Sequence, residues 1–379
     1  MIEELTAETL RDLLDAEEPV AVVDTRDAES FESWHVEGAI RYRHTPDSAF
    51  DPATFREATG LDESDRIVTM CGRGVSSRDL AADLAAAGFE RVGVVEGGME
   101  AWSTVYDRVH VPTDAVDLEI VQVQRRAKGC LGYLIGSGDE AAVVDATRHT
   151  EEFVAAAAAG DYEITHVLDT HVHADHLSGG RALADEVGAT YYLGAGAADR
   201  GVQFAYEPLE RNETVRVGSV DLKALSTPGH TSEIVSYLVG STAVLTGDTL
   251  FVDSVGRTEL QFGEGEAAEG ARLLYESLHR TLLAEPDAVA VLPGHFSLES
   301  AAVDPGTPIH ARLGDLRREA PLLQLDREAF VDRLTERTPA KPPNYERVID
   351  INRGVDRPGT QQEATELELG PNRCAATDD

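Results

Sequence analysis

The chain is expected to fold as two domains in series, a small α/β domain and then a larger one in which two β-sheets stack between helices. Three observations lead there. At 379 residues the chain is longer than one ordinary core fills. Residues 1–108 alternate apolar strands with helical stretches, the pattern of a sheet with helices on its faces. From residue 118 short strands arrive in two runs, each followed by helices, as two stacked sheets covered on both outer faces require.

The opening stretch, MIEELTAETLRDLLDAEE, reads as an acidic amphipathic helix. VAVVDT (20–25), RIVTM (66–70) and RVGVVEG (91–97) read as apolar strands. A helix over 77–88 starts beside Ser76 and Ser77, both good N-caps, and stops at Gly88. Residues 109–117 hold a proline and few large apolar groups, and read as a linker. The first strand run is LEIVQVQ (118–124), GYLIGSG (132–138), EAAVVDAT (140–147) and THVLDT (165–170). The second is RVGSVDLKAL (216–225), EIVSYLVG (233–240), TAVLTGD (242–248) and AVAVLPGH (288–295). Helices are expected over 150–159, 176–187 and 265–284, with 306–350 mostly helical. The second domain is thus set at 118–350, and the polar residues 351–379 read as a tail wrapping the surface.

Charge narrows the classes of function. Sixty-nine acids face 33 bases, a net charge of −36, and Lys128, Lys223 and Lys341 are the only lysines. Self-repulsion of this size is tolerated where salt screens it, since the Debye length shrinks to about 3 Å at 1 M. The expectation is a protein of a salt-rich cytoplasm. The same charge repels nucleic acid, whose binding depends on neutralising phosphates. No apolar run approaches the roughly 20 residues that span a bilayer, so no membrane partner is expected. The N-terminus lacks the basic region of a signal peptide. Three cysteines, Cys71, Cys130 and Cys374, cannot build a disulfide framework and leave at least one free thiol.

Cys71 sits where a strand ends, and Gly72 and Gly74 let the turn bend so that backbone N–H groups converge. The helix that follows adds its positive end, and Arg73 and Arg78 add charge. A thiol in such surroundings ionises readily. VVDTRD with Asp24, WHVEGAI with His35 and Gly38, CGRGVSS, and GGMEAW at 97–102 resemble, in order, the signatures of a rhodanese domain. The resemblance implies that Cys71 takes up a sulfane sulfur as a persulfide. Gly72, Arg73, Gly74, Val75 and Ser76 would form the loop that cradles it.

A second cluster of chemistry is HVHADH, which supplies His171, His173, Asp175 and His176 directly after a strand. Alternate residues of an extended segment share a side, so His171 and His173 are expected to converge on one ion. Three histidines and an aspartate so close together are costly to bury without a cation. STPGHTSE adds His230, LTGDTLF adds Asp248 and LPGHF adds His295, each just after an apolar strand at a glycine turn.

Together these four motifs resemble the metallo-β-lactamase superfamily, which implies an αββα sandwich with metal between its sheet edges. GRTELQFG (256–263), KPPNYERVIDINRG and GPNRCA are similar to segments of persulfide dioxygenases and of enzymes that join such a domain to rhodanese modules. The sequence departs from the human-type dioxygenases at Val255, Phe296 and Ser297, where that group has a cysteine, an aspartate and a tyrosine. The resemblance implies one Fe(2+) per chain held by His171, His230 and Asp248, the two-histidine, one-carboxylate set of non-haem oxygenases. His173, Asp175, His176 and His295 would then orient ligands and relay protons, or else hold a second metal. Arg257 is the candidate to grip the carboxylate of a thiol co-substrate.

The implied activity is oxidation of a small thiol persulfide by dioxygen to sulfite and free thiol, coupled to sulfur transfer from donors such as thiosulfate at Cys71. The alternative is a glyoxalase II-type thioester hydrolase with two Zn(2+) and a rhodanese appendage, although no basic glutathione-binding signature is found. A third class is a sulfur carrier whose metal is structural. Cys130 reads as a small buried hydrophobe and Cys374 as incidental. Oligomeric state stays open, a homodimer included.

Overall fold

The structure is a computed structural model that describes residues 2–297, 304–336 and 340–376. It divides into two compact units. One comprises the residues up to Val105 with Arg125–Lys128 and Leu369–Pro371; the other takes Tyr106–Gln124, Gly129–Glu368 and the residues from Asn372.

The first unit is built on a five-stranded parallel sheet. Its strands are β1 (Glu3–Leu5), β2 (Ala21–Asp24), β3 (Ile40–Arg41), β4 (Arg66–Met70) and β5 (Arg91–Val95), in the spatial order β1-β5-β4-β2-β3. Successive side chains face opposite sides of a strand. Val22, Val68 and Val95 therefore pack on Leu10 and Trp102, while Val23, Ile67 and Val94 pack on Phe55, Leu80 and Leu84. The acidic opening is not all helix. Glu3–Leu5 forms an edge strand, and the helix Ala7–Asp15 starts only where the Thr6 hydroxyl accepts the Thr9 N–H at 3.1 Å.

The second unit holds two sheets. One contains β6 (Tyr106–Val111), β7 (Glu119–Arg125), β8 (Cys130–Ser137), β9 (Glu140–Val144), β10 (Glu163–Leu168), β11 (Thr190–Gly194) and β12 (Glu207–Leu209), arranged β12-β11-β10-β9-β8-β7-β6. The other contains β13 (Thr214–Val217), β14 (Val220–Ser226), β15 (Val235–Val239), β16 (Ala243–Gly247), β17 (Ala290–Pro293) and β18 (Ala311–Arg312) in sequence order. Ile120, Tyr133, Ile135 and Leu168 of one sheet meet Leu222, Tyr237, Leu245 and Leu292 of the other in a shared core. Helices Glu151–Ala159 and Gly180–Val187 bury Phe153, Ala156 and Leu183 on one outer face. Helices Glu259–Arg280, Leu313–Glu319 and Arg327–Glu336 bury Leu274, Leu278, Leu316 and Phe330 on the other. The unit is an αββα sandwich.

Several boundaries differ from expectation. The linker expected at 109–117 begins inside β6, because Val109 and Val111 are buried at the sheet edge. The helix expected over 265–284 spans Glu259–Arg280 and breaks at Gly263, whose φ of 71° few other residues adopt. The helix expected from 176 starts at Gly180, since residues 171–179 are held in an irregular loop. Of the residues expected as a surface tail at 351–379, 351–368 and 372–376 belong to the second unit and 369–371 to the first, while 377–379 lie outside the described residues. They end the helix Tyr345–Asn352, form the helix Gln361–Leu367, and bury Glu368 and Cys374.

Candidate sulfur and metal sites

In the first unit Cys71 follows β4 and is 5% exposed. Its Sγ accepts the Gly74 N–H at 3.0 Å and the Ser77 hydroxyl at 3.4 Å. Gly98 lets the next turn press close. A Cβ there would lie 2.1 Å from the Cys71 carbonyl oxygen, which accepts the Met99 N–H at 2.7 Å. Burial opposes ionisation of Cys71, but hydrogen bonds from Ser77, Ser76 and the Arg73 backbone outweigh it and lower its pKa below the ordinary thiol value.

Two expectations need correction here. Ser76 and Ser77 do not cap the helix, which spans Ser76–Ala86 with Val75 at its N-cap and no side-chain cap. Their hydroxyls are spent on Thr25 and on Cys71. Nor do the arginine side chains supply charge to the thiol: Arg73 pairs with Glu100 at 2.5 Å and Arg78 pairs with Glu4.

In the second unit the metal motifs lie at strand ends. His171–His176 follow β10, His230 follows β14, Asp248 follows β16 and His295 follows β17. His171, His230 and Asp248 each offer a ligand atom within 4.8 Å of the other two. Asp248 Oδ2 lies 3.4 Å from His230 Nε2 and 3.7 Å from His171 Nε2. Both His171 Nε2 and Asp248 Oδ2 are buried without a hydrogen-bond partner, which is unfavourable unless a cation meets them. These donors fit a metal ion.

The ligands are held from behind. His230 Nδ1 donates to the Arg257 carbonyl at 2.7 Å, which fixes Nε2 as the free ligand atom. Thr170 Oγ1 lies 2.9 Å from His171 Nδ1 and donates to Asp145. His295 Nδ1 lies 2.6 Å from Asp248 Oδ1, leaving Oδ2 for the metal. Burial opposes the charge on Asp248, yet His295, His230 and His171 hold its carboxyl well below the usual range. Burial and then the neighbouring His173 hold His171 far below its ordinary value.

His173 does not join this group, against expectation. Residues 171–176 are not an extended strand, and His173 Nε2 turns to Asp145 Oδ1 at 3.2 Å, in a set with Asp169. Asp175, His176 and His295 form another group with Cys130. Cys130 is therefore not merely a small buried hydrophobe. Cys374, expected to be incidental, is buried against Asp248 and His295.

Arg257 was expected to grip a substrate carboxylate. The structure contradicts this: it is 1% exposed, ion-paired with Glu259, and donates to the carbonyls of Ala340 and Arg373 at 3.0 Å each. Its backbone N–H also holds the Cys374 carbonyl at 3.0 Å. It therefore anchors the C-terminal segment. Other residues of that region, which carry no motif of their own, brace the metal loop. Asn352 Nδ2 donates to the carbonyls of His173 and His176, and Glu368 accepts from the Leu177 N–H and from Arg148, both at 2.7 Å.

Residues 6–104 match the rhodanese-like domain family, and residues 125–295 match the metallo-beta-lactamase superfamily. A probable hydroxyacylglutathione hydrolase of Schizosaccharomyces pombe is 36% identical over 138 residues, covering 36% of this chain and 49% of the relative. The chain spans about half the length of the curated relatives it matches. The crystal structure of ETHE1 from Myxococcus xanthus superposes with a TM-score of 0.55 at 30% identity, over 63% of this chain and 99% of that one. A metallo-beta-lactamase from Staphylococcus aureus gives a TM-score of 0.58 at 27% identity, over 65% and 76% of the two chains. No helix among the described residues is long and apolar enough to cross a membrane.

Proposed function

Because the chain belongs to the metallo-beta-lactamase superfamily and carries a rhodanese-like domain before it, we propose that it oxidises a small thiol persulfide with dioxygen and moves sulfane sulfur through Cys71. The observation that carries this reading is the convergence of His171, His230 and Asp248, two histidines and one carboxylate with unpartnered buried ligand atoms. Iron(II) held there would supply the binding and activation of dioxygen beside the persulfide sulfur. The overall change is RSSH + O2 + H2O → RSH + SO3(2−) + 2 H+. The terminal sulfur loses four electrons and dioxygen gains them.

The chain's own groups would divide the remaining work. Thr170 and the Arg257 carbonyl hold the two histidine rings in the ligating orientation. His295 keeps Asp248 ionised and aimed, and the buried surroundings exclude bulk water. At the other site the Cys71 thiolate would attack the outer sulfur of thiosulfate, releasing sulfite and leaving a cysteine persulfide. The Gly74 N–H and Ser77 hydroxyl are placed to steady the negative sulfur.

The test is oxygen uptake by the iron-loaded protein given a thiol persulfide, with sulfite measured in parallel. One specific observation favours a second reading, a thioester hydrolase: two relatives from Schizosaccharomyces pombe are probable hydroxyacylglutathione hydrolases, each matched over about half its length. In that case zinc-loaded protein would cleave a thioester and leave dioxygen untouched.

A further inference from the structure

The loop that follows Cys71 carries one charged side chain, Arg73, and the next turn of the chain captures it. The turn at Gly97 and Gly98 presses on the loop and opens the short helix Gly98–Trp102. Two backbone amides of that helix are tied to the loop. The Met99 N–H donates to the Cys71 carbonyl at 2.7 Å, and the Glu100 N–H donates to the Gly72 carbonyl at 3.1 Å. Glu100 is thereby fixed beside residue 73. Its side chain is only 17% exposed and accepts from Arg73 Nε at 2.5 Å, although the arginine is 61% exposed. A pair with so exposed a partner adds little to stability. What it changes is the charge that an incoming sulfur donor meets.

On the reading that Cys71 transfers sulfane sulfur, we propose that Glu100 is a specificity-determining residue of that site. It cancels Arg73 and so turns the site away from the thiosulfate dianion and toward organic persulfides of low charge. The other charge beside the thiol is cancelled as well. Arg78, in the first turn of the helix behind the loop, pairs with Glu4, and the Ser76 hydroxyl is engaged with Thr25. The remaining large side chain of the loop is apolar, and Val75 is 65% exposed. A net charge of −36 repels a dianion further. A donor with one charge or none escapes most of that repulsion, and its organic part can lie on Val75. Withholding a partner charge from one ligand gives specificity just as adding a contact for another does.

The step balances with either donor. With a persulfide RSSH, the Cys71 thiolate attacks the outer sulfur and the bond between the two donor sulfurs breaks. Cys71 is left as the persulfide, and RS− departs and takes up a proton from solvent. With thiosulfate the leaving group is sulfite, and a dianion must first approach the thiolate. A guanidinium beside it is the natural partner for the sulfonate oxygens, and Glu100 holds the one the loop possesses.

The test reads sulfur loading of Cys71 in the full-length chain under single-turnover conditions, by mass spectrometry with peptide mapping. Thiosulfate is compared with the persulfide of β-mercaptoethanol at one fixed salt concentration. The parent is expected to load from the persulfide at least about tenfold faster. In Glu100→Gln, thiosulfate loading should rise at least about fivefold against persulfide loading, because Arg73 then turns to the dianion. The double variant Glu100→Gln/Arg73→Ala should lose that gain, a dependence that a merely structural role for Glu100 would not produce. Circular dichroism checks the fold of each variant. Should Glu100→Gln not fold, Arg73→Ala decides. It leaves the Glu100 charge uncancelled by Arg73, and thiosulfate loading should fall at least about fivefold against persulfide loading. An unchanged ratio in whichever variant folds, a gain that survives the double variant, or a parent that prefers thiosulfate overturns the proposal while sulfur transfer at Cys71 stands. Loading from neither donor overturns the proposal and sulfur transfer at Cys71 together.

Discussion

His295 Nδ1 and Asp248 Oδ1 lie 2.6 Å apart, and that contact leaves Asp248 Oδ2 facing His171 and His230. One carboxylate thus joins the two groups of donors. Its first oxygen is held by a histidine of the second group while its other oxygen serves the first.

Removing that carboxylate should therefore empty the three-donor group. Asp248→Ala is expected to lower iron retention and oxygen uptake by at least about a hundredfold, read by metal content after gel filtration and by an oxygen electrode. A variant that keeps stoichiometric iron and turns over normally would refute the ligand assignment.

Cys71 makes a separate prediction. Cys71→Ser should abolish sulfur transfer from thiosulfate to cyanide, because a serine hydroxyl is not ionised at neutral pH. Oxygen uptake with a supplied persulfide should persist. The lowered pKa of the Cys71 thiol also fixes a sign. Its thiolate survives to lower pH than that of free cysteine, so the midpoint of its alkylation rate should fall below that of a free cysteine measured alongside. A midpoint at or above the free-cysteine value would remove the electrostatic account of the loop.

Glu368 lies far along the chain, yet its fully buried carboxylate ties the Leu177 N–H to Arg148. Glu368→Ala should cost about 3 kcal/mol in stability, because it leaves a buried donor and a charge without their partner. Metal affinity should fall with it, since the loop 171–178 loses its brace. Thermal unfolding and metal titration test both effects. A melting temperature within a degree of the parent would show that the brace is dispensable.

Salt provides a check on the charge argument. At a net charge of −36 the folded chain crowds its acids, and added salt screens them. The melting temperature is expected to climb between dilute buffer and molar KCl, with activity lost on desalting. Indifference to KCl would sink the salt-adaptation reading and leave the sites untouched.

Much of the architecture was legible because strand ends carry their own signals. His230, Asp248 and His295 each follow an apolar strand at a turn, and the structure puts them at the ends of β14, β16 and β17. Local pattern failed where distant segments decide. His173 shares its motif with His171, but Asp145 from the end of β9 draws it into another group. Arg257 has the chemistry to hold a carboxylate, yet Glu259 and carbonyls from the C-terminal region enclose it. Cys374 and Glu368 lie in a polar stretch whose composition resembles a tail, and only tertiary folding returns them to the metal loop. Ser76 and Ser77 have the chemistry of helix caps, but Thr25 and the Cys71 sulfur claim their hydroxyls.

We propose that the His171–His230–Asp248 group carries redox chemistry rather than hydrolysis. Its most direct test loads the metal-free chain with iron(II) or with zinc(II) under anaerobic conditions and offers each form a thiol persulfide and a thioester. Oxygen uptake and sulfite from the persulfide are expected in the iron form alone, with no thioester cleavage in either. Thioester hydrolysis by the zinc form, with the iron form inert toward dioxygen and persulfide, would contradict it.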